Sequence, residues 1–133
     1  MRKVLILGGG FGGVYTAQYL KKMAHRSKIP LEISLVSETN YFVFHPMLAE
    51  IVGGSIDLLD TVNPLSQLLP KVTLHIRKIE SINRQNQSVT LSPKYSHQPL
   101  VLPYDELVIA LGNVTDFREQ QSIRAHALPF KSL

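Results

Sequence analysis

Val4-Leu5-Ile6-Leu7-Gly8-Gly9-Gly10-Phe11-Gly12-Gly13-Val14 is the stretch that decides the fold. Its four consecutive apolar residues read as a buried strand, and the segment from Val14 to about Arg26 reads as a helix. Between them Gly8, Gly10 and Gly13 keep the spacing G-x-G-x-x-G, which opens a dinucleotide-binding βαβ unit. Gly8 permits the tight turn off the strand, Gly10 lets the backbone approach a pyrophosphate, and Gly13 lets the helix pack close to the sheet. The helix N-terminus adds free N–H groups and the positive end of a dipole. Glycine-rich turns also serve as plain strand–helix connections, so the spacing carries weight only because a strand and a helix flank it.

Working outward, Val14, Ala17, Leu20 and Ala24 recur at helical spacing and would face the sheet. Ile29-Pro30 ends the connection, since proline cannot continue a helix interior. Leu31 to Val36 is then a second buried strand, parallel to the first through a right-handed crossover. Beyond it, Tyr41-Phe42-Val43-Phe44-His45-Pro46 reads as an aromatic loop, and Met47 to Ile51 as a short helical turn broken by Gly53-Gly54. Asn63-Pro64 reads as the start of a helix with Leu65, Leu68 and Leu69 on its apolar face, ended by Pro70.

Three strand-like pieces follow, Val72 to Asn83, Ser88 to Ser92 and Leu100 to Leu102, joined by polar, turn-rich loops that suggest an antiparallel meander. Leu107-Val108-Ile109-Ala110-Leu111, closed by Gly112, is a continuous apolar run of the kind found in a strand covered on both faces. The expected class is therefore α/β: a Rossmann-type dinucleotide-binding fold, with a glycine-rich βαβ unit in a parallel sheet and an antiparallel β-meander.

Composition excludes several alternatives. The 133 residues contain no cysteine, so a disulfide framework, a thiolate metal site and a dithiol redox pair are all ruled out within them. The five histidines, His25, His45, His75, His97 and His126, are scattered without metal-ligand spacing, and no metal is expected. Neither G-x-S-x-G nor G-x-x-x-x-G-K-[ST] occurs. No apolar run approaches a membrane span, and the start Met1-Arg2-Lys3 lacks the apolar core of a secretory signal, so the two glycosylation triplets carry no weight.

The net charge is +4, and six of the fourteen basic residues (Arg2, Lys3, Lys21, Lys22, Arg26 and Lys28) fall at the chain start or late in the first helix. Cations late in a helix complement its dipole, while a basic face also suits an anionic lipid surface. Nucleic acid is not an expected partner, because no recognition helix or aromatic–basic interleaving appears.

Together, GGGFGG after VLIL, a meander, and YDELVIALG resemble the N-terminal FAD-binding half of two-dinucleotide-binding flavoproteins. Ala110-Leu111-Gly112 stands where those proteins usually show Ala-Thr-Gly. Within that superfamily, VSETNYFVFHPMLAEIVGG (Val36 to Gly54) is similar to the type II NADH:quinone dehydrogenases, and the similarity extends to the closing ALPFKSL.

The resemblance implies that Gly8, Gly10, Phe11 and Gly12 hold the FAD pyrophosphate through backbone N–H groups, beside Gly13. It also implies an acid at the end of the second strand for the adenosine ribose. The usual acid position aligns with Ser37, and the carboxylate comes one residue later at Glu38, a step that turns a strand side chain to the opposite face. Glu38 is the expected ribose acid, against the alternative of a solvated charge.

His45 and Pro46 align with a loop near the isoalloxazine ring; an ordinary surface-loop histidine is the other reading. Tyr41, Phe42 and Phe44 either wall a cofactor cavity or belong to the core. Glu50 matches a family glutamate or is simply a solvated helix-end residue. Ile79 aligns with a main-chain contact to adenine, and Ala110 and Gly112 with the backbone beside the cofactor, where a strand-ending turn requires glycine equally well. No catalytic side chain is singled out.

The resemblance implies FAD as cofactor and, for a parent protein, NADH and a quinone as reactants. Residues 1–112 are the expected FAD-binding domain, itself incomplete, and residues 113–133 a connection toward an NADH-binding domain beyond Leu133. The isolated chain is then expected to be inactive and prone to self-association, and the parent to be cytoplasmic, peripheral on the membrane face. A non-catalytic FAD/NAD(P)-binding module and a sulfide:quinone reductase relative remain as alternatives.

Overall fold

In the computed structural model, residues 1–94, 98–118 and 120–127 are described. In chain order the elements are β1 (Arg2–Leu7), α1 (Phe11–Ser27), β2 (Leu31–Ser37), β3 (Tyr41–Val43), a 3-10 turn (His45–Met47), α2 (Leu48–Val52), α3 (Leu58–Thr61), β4 (Val62–Pro64), α4 (Leu65–Leu68), β5 (Thr73–Ile76), β6 (Ile79–Asn83), β7 (Ser88–Leu91), β8 (Leu100–Pro103), β9 (Glu106–Ile109) and α5 (Gln121–His126).

The main sheet is parallel, in the order β5-β2-β1-β9. Strand β1 is central and buried on both faces, which explains its unbroken apolar run. Val4 and Ile6 pack with Val14 and Ala17 of α1 and Ile33 and Leu35 of β2. Leu5 and Leu7 pack on the opposite side with Val89, Leu91 and Tyr104. Those last residues belong to the second sheet and its exit, an antiparallel meander β6-β7-β8. The molecule is thus layered as helix, parallel sheet and meander, the expected α/β architecture.

Several local expectations need correction. Val72 to Asn83 is not one strand. Residues 73–76 extend the parallel sheet beside β2, and residues 79–83 open the meander, so the chain changes sheets between Ile76 and Ile79. The aromatic loop contains a short strand, β3, whose partner β4 includes the Asn63-Pro64 pair expected to begin a helix; that helix, α4, starts one residue later. The Leu107–Leu111 run is a strand only to Ile109, and it lies at the sheet's edge rather than covered on both faces, with Ile109 63% exposed. Helix α5 forms in the polar stretch read as a plain connection. Of the closing ALPFKSL only Ala127 is described; residues 128–133 lie outside the described residues, as do residues 95–97 and Glu119.

From β1 the chain moves outward to β2 and β5, then returns to the other side of β1 as β9. Such a reversal leaves a crevice at the carboxyl ends of the strands, where open α/β sheets bind ligands.

Candidate functional site at the glycine turn

Gly8 leaves β1 with φ +113°, a conformation that L side chains rarely adopt, and a Cβ there would overlap the Ala110 carbonyl. A Cβ on Gly13 would overlap the Gly8 carbonyl and press on Ile6, so α1 approaches β1 more closely than any other residue would allow. A Cβ on Gly9 would strike Ser37 Oγ, and one on Gly12 would come within 3.3 Å of the Ala110 Cβ. These four glycines are explained by packing within the chain.

Gly10 is different. It is the N-cap of α1 with φ −85° and ψ −165°, an ordinary extended backbone, and nothing lies within 4 Å of where its Cβ would be. A serine would fit that space and would cap the helix at least as well.

The helix that starts there has no acidic residue in its first turn, so the positive end of its dipole is not offset by a side chain. Val14 N–H donates to the Gly10 carbonyl at 2.9 Å, which leaves the N–H groups of Phe11, Gly12 and Gly13 without acceptors inside the helix. The Gly8 N–H is engaged: it donates to the Val36 carbonyl at 2.8 Å. Gly8 thus forms the turn with its N–H bonded within the chain, while the free donors at the helix start belong to the residues that follow.

The turn borders a cleft of about 390 Å³. Gly8, Gly10, Ser37, Glu38, His45 and Ile79 all line it, although they come from four separate segments of the sequence. Thr39, Tyr41, Val43 and Leu111 complete the wall. Glu38 supplies the one carboxylate among the described lining residues.

The pleat of β2 separates Ser37 from Glu38. Ile33, Leu35 and Ser37 point to the α1 side, where Ser37 is 7% exposed beneath Gly9, and its carbonyl accepts from the Arg77 N–H at 2.9 Å. Glu38, one residue on, is exposed at the strand's mouth.

The aromatic residues divide between core and cleft. Phe42 and Phe44 pack on Phe11, with ring centroids at 4.9 and 5.4 Å, and Tyr15 stacks on Phe11 from within α1. Phe11 thereby ties the glycine turn to β3. Tyr41 instead faces the cleft. His45 is exposed, and its Nδ1 lies 3.0 Å from the Val43 carbonyl. A carbonyl only accepts, so Nδ1 carries the hydrogen and the neutral ring keeps its lone pair on Nε2.

Pro46 follows in the 3-10 turn but does not line the cleft, and Glu50 lies exposed in α2, away from it. Ala110 extends the β1–β9 ladder by donating to the Leu7 carbonyl, and Gly112 turns the chain away at φ +74°. Tyr41 was legible as a candidate wall. Thr39 and Val43 were not, because nothing in a sequence shows that β3 returns to the same strand ends as the glycine turn.

Among the described residues no group of histidine, aspartate and glutamate side chains is placed to hold a metal ion. An anion-receptive helix start, an open glycine and a carboxylate at the end of β2 together define a Rossmann-type dinucleotide-binding unit.

The chain belongs to the pyridine nucleotide-disulphide oxidoreductase family, which matches residues 2–123. It is 33% identical to demethylphylloquinone reductase NdbB of Synechocystis sp., over 98% of this chain and 33% of that protein. It is 34% identical to a type II NADH:quinone oxidoreductase of Haemophilus influenzae, over 85% of this chain and 27% of that protein. Its fold matches the sulfide:quinone oxidoreductase of Aquifex aeolicus with a TM-score of 0.75 at 27% identity, over 96% of this chain and 33% of that one. The chain thus spans about a third or less of the length of the relatives it matches.

Proposed function

We propose that this chain is the part of a flavin-dependent NADH:quinone oxidoreductase that holds the adenosine and pyrophosphate of FAD. The observation that carries the proposal is Gly10: a glycine that neither backbone geometry nor neighbouring atoms require, at the one place where a side chain would obstruct a ligand on the helix start. The N–H groups of Phe11 and Gly12 donate to the pyrophosphate, helped by the dipole of α1. Glu38 accepts from the ribose hydroxyls. Ile79 borders the adenine through its main chain, Ala110 and Gly112 keep the sheet edge low beside the cofactor, and His45 and Pro46 stand toward the flavin end. When bound, FAD supplies the chemistry, accepting a hydride and passing electrons on. This chain contributes binding and orientation.

Residues 1–112 form this unit, and residues 113–133 lead toward the NADH-binding part. The type II NADH:quinone oxidoreductase and quinone-reductase relatives support NADH as donor and a quinone as acceptor. An apolar quinone places the protein at a membrane face; we assign the cytoplasmic side. Among the described residues no helix is long and apolar enough to cross a membrane, which suits peripheral contact.

The structural likeness to a sulfide:quinone oxidoreductase keeps a second donor in view. The deciding experiment mixes the longer protein, loaded with flavin, anaerobically with NADH or with sulfide and follows bleaching of the flavin absorbance. Bleaching by NADH, and reoxidation by a soluble quinone, is the expected result. Bleaching by sulfide alone would assign the second donor, and no bleaching by either would leave a flavin-binding module without this activity.

A further inference from the structure

The far end of α1 borders a second and larger cavity. A groove of about 900 Å³ runs between the C-terminal half of α1, the start of β2 and the α4–β5 connection. Its floor is hydrocarbon, from Ile29, Leu31, Ile33, Leu68 and Leu69. Its rim carries Lys21, Lys22, His25, Lys28 and Lys71, and no carboxylate is among the described lining residues. The groove is pre-formed. Gln18 Nε2 donates to the Leu68 carbonyl and Lys21 Nζ to the Pro70 carbonyl, which clamps the α4–β5 connection against α1.

We propose that this groove binds an anionic phospholipid of a bilayer surface, with the headgroup phosphate on the lysine rim and the upper acyl chain on the apolar floor. The site is distinct from the cleft at the glycine turn and stands independently of the flavin assignment. Helix-dipole complementarity accounts for the basic residues at the end of α1 but not for Lys71, which belongs to another segment and borders the same groove. Lys71 is also held at φ +70°, a conformation unusual for a side-chain-bearing residue, which fixes where its side chain leaves the backbone.

The chemistry favours a lipid over an acidic peptide. The Leu68 and Pro70 carbonyls of the wall each already accept one bond, from Gln18 and Lys21, which reduces what they offer to a peptide's N–H groups. An anionic amphiphile needs donors at one end and hydrocarbon contact along the rest, which is what the groove presents.

The test is co-sedimentation of the chain with vesicles of phosphatidylcholine, with and without phosphatidylglycerol. Binding is expected only to the anionic vesicles. Each lysine near an anionic surface contributes about a fivefold gain in affinity, so Lys22→Glu with Lys71→Glu should weaken binding by more than about twentyfold. The equally charge-changing pair Arg84→Glu with Arg124→Glu, both exposed and outside the groove, should change it by less than about threefold. Lysophosphatidylglycerol should displace the chain from vesicles where glycerol phosphate and polyglutamate do not.

Four results would each overturn the proposal. Binding to neither vesicle is one, and equal losses in the two double variants, which mean diffuse charge, is another. The others are displacement by glycerol phosphate as effective as by the lysolipid, which means a free-phosphate site, and equal displacement by polyglutamate, which means an acidic protein partner.

Discussion

Ser37 lies directly beneath Gly9, its Oγ and Cβ filling the space that a Cβ on Gly9 would need. The glycine turn therefore rests on the end of β2, and a small residue at position 37 is a packing requirement. The consequence reaches the site: with Ser37 committed to the turn, the carboxylate at the strand's mouth is Glu38.

Gly9→Ala should destabilise the fold by about 1–3 kcal/mol, the usual cost of forcing an extra methyl into a packed site. Adding Ser37→Gly should recover a large part of that loss by vacating the space. Urea denaturation of the two variants and the parent chain measures both effects. Equal stabilities for the single and double variants would show that the turn yields elsewhere.

Glu38→Ala should weaken FAD by about 1.5–3 kcal/mol, the range for hydrogen bonds to a charged group, without changing thermal stability. Ser37→Ala, which keeps a small residue beneath Gly9, should leave both affinity and stability nearly unchanged. Flavin fluorescence titration paired with thermal melts separates the two. Were Ser37→Ala the more damaging to affinity, the ribose would be held from position 37.

The contrast between these two residues shows where sequence reasoning succeeds and stops. The β1–turn–α1 unit was legible because each of its signals is local: an apolar run, glycines at fixed offsets, and Val14 and Ala17 at helical spacing. The meander was legible from its turns. The change of sheet between Ile76 and Ile79 was not, since residues 72–83 keep one strand-like composition while their partners change from β2 to β7. The exposure of Ile109 was equally hidden, because a continuous apolar run looks the same at an edge as at a centre. In the cleft, the different surroundings of Ser37 and Glu38 follow from pleat phase, and that Ser37 lies under Gly9 was not legible in the sequence.

His75 on β5 is half-buried, and that burial, together with the nearby Arg77 guanidinium, holds its pKa below the ordinary histidine value. The folded state then binds its proton less readily than the unfolded chain does. The neutral ring carries no penalty above the unfolded pKa. As pH falls through about 6.5 toward the lower folded value, stability is lost, and below that value the loss is complete. The thermal midpoint should therefore fall between about pH 7.5 and about pH 5.5, and His75→Gln should flatten the slope over that interval. An unchanged slope in the variant would assign the acid sensitivity to other groups.

The chain by itself should purify without flavin and show no NADH oxidation above a free-flavin control when flavin and a soluble quinone are added. On the proposed reading, the adenosine end alone must offset the full cost of immobilising the cofactor, and the nicotinamide is positioned by the NADH-binding part. The exposed apolar side chains of Ile109, Leu111 and Val114 should also promote self-association, visible in light scattering. Oxidation of NADH well above the control would show that residues 1–133 suffice for the reaction.

Gly10→Val puts a branched side chain into the open space at the start of α1, where the pyrophosphate is assigned. Because no described residue lies within 4 Å of the added Cβ, the substitution should cost the fold about 1 kcal/mol, the scale of an N-cap effect. The measurement is flavin absorbance per mole of the purified longer protein, beside its thermal midpoint, for Gly10→Val and the unaltered sequence. Flavin should be lost while the midpoint stays within a few degrees. Full flavin content in a folded Gly10→Val protein would contradict the assignment of the glycine turn as the cofactor's seat.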